Sequence, residues 1–191
     1  MTPMPDTSPE RYHPVAVWLH WIIALLILAN LALGIGAPHA ADALQRPLID
    51  LHKSIGISLL FLVLARIIWR LTNRPPALPE HYARWERFAA HGAHGLLYVM
   101  ILAVPITGWL HDSAWSAGPS HPMSLFWLIP WFRLGFIANL DPATKHHLHL
   151  LLGSIHYNLA FALLALVALH VVAALKHQVI DRHPELQRMW R

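Results

Sequence analysis

The sequence contains no cysteine. Disulfides, iron–sulfur clusters, thiolate zinc sites and covalently attached c-type haem are therefore excluded. Charge is also scarce: 13% of the 191 residues are Asp, Glu, Lys or Arg, against 56% that are hydrophobic. With a positive mean hydropathy, that balance argues against one soluble domain and for a multi-span membrane protein whose main solvent is lipid. No basic patch is interleaved with aromatic residues, and the net charge of +4 comes from Lys and Arg at segment ends. A membrane surface fits this pattern and nucleic acid does not. No Asp or Glu falls within an apolar core, which counts against a histidine-lined metal-ion transporter. Sixteen histidines remain as the abundant soft ligands.

The apolar runs predict an all-α, four-transmembrane-helix bundle forming a single membrane domain over 1–191, with helices about 14–36, 47–72, 89–111 and 145–178. Residues 1–13, with Pro3, Pro5 and Pro9, read as a short arm. Pro14 and Pro47 suit first helical turns. Ala41-Asp42-Ala43 has the form of a signal-peptidase site, but the preceding run is too long for a signal peptide's apolar core and contains His20, so this segment is expected to remain as a helix. The 113–144 segment is rich in Trp, Pro and Gly. It reads as an interfacial lid, or equally as a loop packed into the bundle. Ten of the fourteen Lys and Arg fall in the N-terminal arm, the 66–87 connection and the tail. Both termini are thus expected in the cytoplasm.

The stretch from His156 to His170 is uncharged and closes with a histidine at each end. At ~100° and ~1.5 Å per residue, the two imidazoles share one helix face about 21 Å apart, one toward each side of the bilayer. An intramembrane histidine needs a partner. Counting turns along antiparallel helices puts His20 at the depth of His170 and His52 at the depth of His156. Two bis-imidazole sites result, which suit two non-covalent haems and electron transfer rather than oxygen activation. His94 competes at the inner depth, since only two of three imidazoles can take one iron's axial positions. The shared fourth helix favours His20 with His170, leaving His94 to hydrogen-bond a haem propionate or a quinone. Gly34, Gly56 and Gly95 are candidates for making room. His146, His147 and His149 read as a polar helix start, with Zn²⁺ or Cu²⁺ binding as the alternative. His13, His39, His81, His111, His121 and His183 read as surface residues.

Several motifs together resemble the bacterial cytochrome b561 family, four-helix di-haem proteins of the inner membrane. They are Glu10-Arg11-Tyr12, Leu19-His20-Trp21, Leu51-His52-Lys53-Ser54-Ile55-Gly56, Ala93-His94-Gly95-Leu96-Leu97-Tyr98, Leu169-His170-Val171, Ala174-Leu175-Lys176-His177 and Ile180-Asp181. The resemblance implies two b-type haems on His20, His52, His156 and His170, and electron transfer to ubiquinone in a bacterial inner membrane. The resemblance also implies an electron donor on the outer, periplasmic side, superoxide in some members, an anion that Arg46, Lys53 and Lys145 would attract. Quinone reduction also consumes protons, and His94, Lys176 and His177 at the cytoplasmic rim are the candidate contacts. The alternative function is an electron-transfer anchor for a separate dehydrogenase or periplasmic partner protein, docked on 113–144. The chain departs from the family at Tyr157, where an acidic residue is frequent, and at Gln178, where a second histidine is frequent.

Overall fold

The computed structural model describes residues 11–76, 84–182 and 185–190. Expectations for residues 1–10, Pro79, His81, His183 and Arg191 lie outside the described residues. Four helices are long and apolar enough to cross a membrane. They are α1 (Pro14–Gly36), α2 (Asp42–Thr72), α3 (Arg84–Ser113) and α5 (Pro142–Val179); α4 (Gly135–Ala138) and α6 (Glu185–Arg188) are single turns.

Three starts precede the positions expected from sequence. Helix α2 begins at Asp42, not Pro47, which sits inside it. The proline withholds one N–H, the donor to Ala43 O, while Asp42 suits the positive end of the helix. Gln45 Nε2 also donates to Ala40 O at 3.1 Å. Helix α3 already runs at Arg84 rather than Ala89, with Glu86 in its first turn. Helix α5 starts at Pro142 rather than Lys145, because the Asp141 carboxylate caps it, accepting from Thr144 N at 3.0 Å. Hydrogen bonding from the Thr144 side chain, followed by that from its backbone N–H, holds the Asp141 carboxyl below its ordinary pKa.

The helices pack in the order α1 on α2, α2 on α3, α3 on α5. Ile23 and Ile27, Ile55, Leu59 and Val63, Met100 and Val104, and Leu163 form the buried core. Their helical spacing gives each helix one inward stripe. Large side chains such as Leu25, Phe61, Ile68, Val99 and Val172 point outward and exposed. In water that surface would be an aggregation liability, and in lipid it is the solvated face.

At one end of the bundle the start of α1 meets α6 and the residue after it, with Trp21 Nε1 donating to Met189 O at 2.7 Å and Tyr12 N to Arg188 O at 3.1 Å. The opposite, loop end is closed by 113–144, which packs on the bundle through one edge. A hairpin of β1 (Ser124–Leu125) and β2 (Ile129–Pro130) sets Met123 and Leu125 against Ile57 of α2. Phe126 N donates to Ser54 Oγ at 2.9 Å. Phe126 and Trp127 turn the chain with left-handed φ of 51° and 61°, values that bulky residues rarely take. Beneath the loop, buried Asp112 lies 2.6 Å from Lys53 Nζ and 2.9 Å from Arg133 Nε.

Candidate haem sites

His52 on α2 and His156 on α5 face each other near the loop end, ring centres 6.0 Å apart. Each ring is held in the same way. His52 Nδ1 is 2.9 Å from Asn30 O, and His156 Nδ1 is 3.0 Å from Val104 O. An N–H···O=C bond at Nδ1 fixes the tautomer and leaves Nε2 with a free lone pair, the arrangement a metal-ligating imidazole requires. Each ring also lies on a glycine one helical turn beyond its carbonyl partner. A Cβ on Gly34 would be 2.9 Å from His52 Cε1, and one on Gly108 would be 3.0 Å from His156 Cε1. Only a residue without a side chain lets the imidazole come this near the neighbouring helix. Of the three glycines picked out by sequence, Gly34 has this role, whereas a Cβ on Gly95 would meet open space. Gly108 is the seat the sequence reading missed.

At the other end His170 faces two rings, His20 at 6.3 Å and His94 at 5.7 Å between centres. The three expected inner histidines are therefore brought together, with His170 common to both pairs. Arg66, which sequence reading took as a charge closing the second helix, turns into this cluster. Its Nη1 donates to Ala16 O at 3.0 Å, its Nε to Tyr98 Oη at 3.0 Å, and its Nη2 lies 3.4 Å from His20 Nδ1. Nearer the terminal end, Lys176 Nζ at 2.6 Å and His177 Nδ1 at 2.8 Å share Oδ2 of Asp181. The hydrogen bond from Lys176, followed by that from His177, keeps the Asp181 carboxyl below its ordinary pKa.

His111, expected at the surface, is half-buried and stacked on His149, with centres 4.0 Å apart and planes at 17°. His111 Nδ1 is 2.9 Å from His149 O, and the ring rests on Gly153, whose Cβ would be 2.8 Å from Cε1. This repeats the seat of His52 and His156. His149 thus turns away from His146 and His147, which are exposed, and no group of three metal-ligating side chains stands out among the described residues. The sequence did hold a clue: His149, His156, Leu163 and His170 follow at sevenfold spacing on one face of α5.

These residues fit a bis-imidazole iron site. An imidazole nitrogen lies roughly 1.1 Å from its ring centre and about 2 Å from a metal it binds, so two rings on opposite sides of one ion stand about 6 Å apart. His52 and His156 also line a cavity of about 720 Å³, walled by Ile27, Leu31, Leu59 and Val104 and by Gly34 and Gly108. That volume and apolar lining suit a large planar cofactor. Arg46, Lys53 and Trp115 stand at its polar rim.

The family described as prokaryotic cytochrome b561 matches residues 11–191. The chain is 32% identical over 185 residues to cytochrome b561 homolog 2 of Escherichia coli (strain K12), covering 95% of this chain and 92% of that one. It is 28% identical over 194 residues to cytochrome b562 of Cereibacter sphaeroides, covering 97% and 98% of the two chains. With the protein named probable superoxide oxidase CybB of Yersinia pestis it shares 27% identity over 190 residues, covering 94% and 96%.

Proposed function

This chain belongs to the prokaryotic cytochrome b561 family, and on that premise we propose that it carries two b-type haems and passes single electrons between a donor at the loop end and quinone in the membrane. Its class is that of a multi-pass bacterial membrane protein, a b-type cytochrome of electron transfer. The observation that carries the di-haem reading is the pairing of histidines at two levels of α5, His52 with His156 and His20 with His170. In this reading the terminal end is cytoplasmic and the loop end periplasmic, in keeping with the excess of Lys and Arg near the termini.

His52 and His156 would hold the outer haem, and His20 and His170 the inner one. Haem would supply a reversible one-electron couple, and a pair of imidazoles at each site would suit electron transfer rather than oxygen activation. The remaining chemistry belongs to the chain. The Asn30 and Val104 carbonyls hold the outer imidazoles in one tautomer. Gly34 and Gly108 give the rings their places. His94 on α3 also faces His170, at 5.7 Å between ring centres, and we assign it to a propionate or quinone contact. A quinone reduced by two electrons must take up two protons; His94 and His177 are the groups placed to hand them on from the cytoplasmic side, with Lys176 beside them. At the outer rim the cations Arg46, Lys53 and Arg133 outnumber the carboxylates they pair with, Asp50 and Asp112, and that positive excess would favour an anionic donor such as superoxide, the substrate named for the Yersinia pestis relative.

A second reading, an electron-transfer anchor with a protein partner on the loop end, draws on the exposed aromatic tip at Phe126 and Trp127. The experiment that separates them is turnover by the purified chain alone, given superoxide or a chemical reductant and a soluble quinone analogue. Quinone reduction coupled to haem reoxidation supports the oxidoreductase. Reducible haem that never passes electrons to quinone contradicts it and favours the anchor.

A further inference from the structure

Between Asp112 and Arg133 the chain carries no Asp, Glu, Lys or Arg. Its centre, 122–132, is apolar apart from Ser124. This hairpin packs not across the loop end of the bundle but down its side, along one face of α2. Phe126 N donates to Ser54 Oγ at 2.9 Å, Met123 and Leu125 pack on Ile57, and the Trp131 ring stands edge-on to Phe61 with centres 6.0 Å apart. Ser54, Ile57 and Phe61 follow one another on a single helical stripe about 10 Å long, and Phe61 lies roughly 13 Å past His52 along α2. Phe61 itself is 55% exposed and belongs, with Leu64 and Ile68, to the outward belt of α2 that lipid solvates.

The tip is made of the wrong residues for water. A water-facing hairpin turn favours Gly, Asn, Asp or Ser, whereas Phe126 and Trp127 hold the left-handed backbone here. Trp127, Leu128, Ile129 and Phe132 all point outward and exposed. In hydrocarbon, backbone polar groups need partners inside the protein. Leu128 N donates to Leu125 O at 3.0 Å, Trp131 N to Met123 O at 3.0 Å, and Phe132 O accepts from Trp109 Nε1 at 2.9 Å. Pro130, paired opposite Ser124, has no N–H to satisfy. The next charge in sequence, Arg133, turns inward to Asp112 and to the carbonyls of Gly118 and His121.

We propose that the 122–132 hairpin is embedded in the leaflet at the loop end, where acyl chains cover Trp127, Leu128, Ile129 and Phe132, and that its tip is a lipid surface rather than a docking surface for a protein. The exposed patch lacks the polar rim of a protein interface, and through Trp131 and Phe61 it is continuous with the lipid-facing side of α2. Met123, which with Ile57 lines the cofactor cavity, then has hydrocarbon rather than water behind it. The hairpin thus seals the outer cavity laterally. This rests on the four membrane-spanning helices and is independent of which histidines bind haem.

The chain has no cysteine, so a single introduced cysteine can carry a nitroxide spin label. Leu128 is 83% exposed, and Leu128→Cys therefore removes little packing. It is compared with Val99→Cys on the outward face of α3 and with Ser116→Cys at the exposed turn after α3, each in the full chain reconstituted into phosphatidylethanolamine–phosphatidylglycerol vesicles. Power-saturation EPR reads collisions with oxygen, which partitions into hydrocarbon, and with a nickel chelate, which stays in water. The Leu128 label is expected to meet oxygen severalfold more, and the nickel chelate severalfold less, than the Ser116 label, as the Val99 label does. Nickel access equal to that of Ser116 overturns the inference. Shielding from both reagents overturns it too, because a protein surface, a partner's or a second copy's, would then cover the tip. A Val99 label open to nickel overturns the membrane-spanning reading along with it.

Discussion

His52 rests on Gly34 so closely that a methyl group there would lie 2.9 Å from Cε1. Gly34→Ala therefore has to move something, and the imidazole yields more easily than two packed helices. The chain is expected to fold, at a cost of about 1–3 kcal/mol for the overpacking, and to lose most of its outer haem while the inner haem spectrum is kept. Gly108→Ala does the same through His156. Absorbance of the purified variants checks this, and full outer haem in both would mean that the rings are not ligands.

His94→Ala tests the inner site, where His170 stands between two candidates. Both haems are expected to survive, with quinone reduction slowed severalfold because a proton-carrying contact is gone. Loss of the inner haem in that variant would make His94 the ligand in place of His20.

A third expectation concerns pH. Asp181 is held below the ordinary carboxylate pKa by Lys176 and then His177. A carboxyl with a lowered folded pKa contributes stability that is present above its unfolded pKa near 4 and lost as pH falls through the folded value. Wild type should thus melt above Asp181→Asn at neutral pH, and the two should converge in acid below about pH 4. A gap unchanged down to pH 3 would contradict the ion-pair account.

The four helices and the two histidine levels were legible because both follow from local rules. Apolar runs of spanning length mark the helices, and the fourteen-residue interval puts His156 and His170 on one face whatever surrounds them. The failures were tertiary. His111 reads as a polar helix end until Gly153 and the His149 carbonyl, far along the chain, are brought beneath it. Arg66 counts as a cytoplasmic charge by the rule that orients helices. That it turns inward depends on Tyr98 and on the Ala16 carbonyl, which no pattern within α2 reveals. The start of α2 was missed because Pro47 is a strong local mark for a first turn, while the helix actually begins on Asp42. The left-handed aromatic turn at Phe126 and Trp127 runs against residue preference and is fixed only by its contacts to Ser54 and α2.

The central claim is two haems on two histidine pairs, and haem stoichiometry tests it most directly. A pyridine haemochrome assay on the purified chain, normalised to polypeptide by amino-acid analysis, should return two non-covalent b-type haems for the wild type and one for His52→Ala, with the inner spectrum unchanged. One haem or none in the wild type, or loss of both from a folded His52→Ala, would contradict the account.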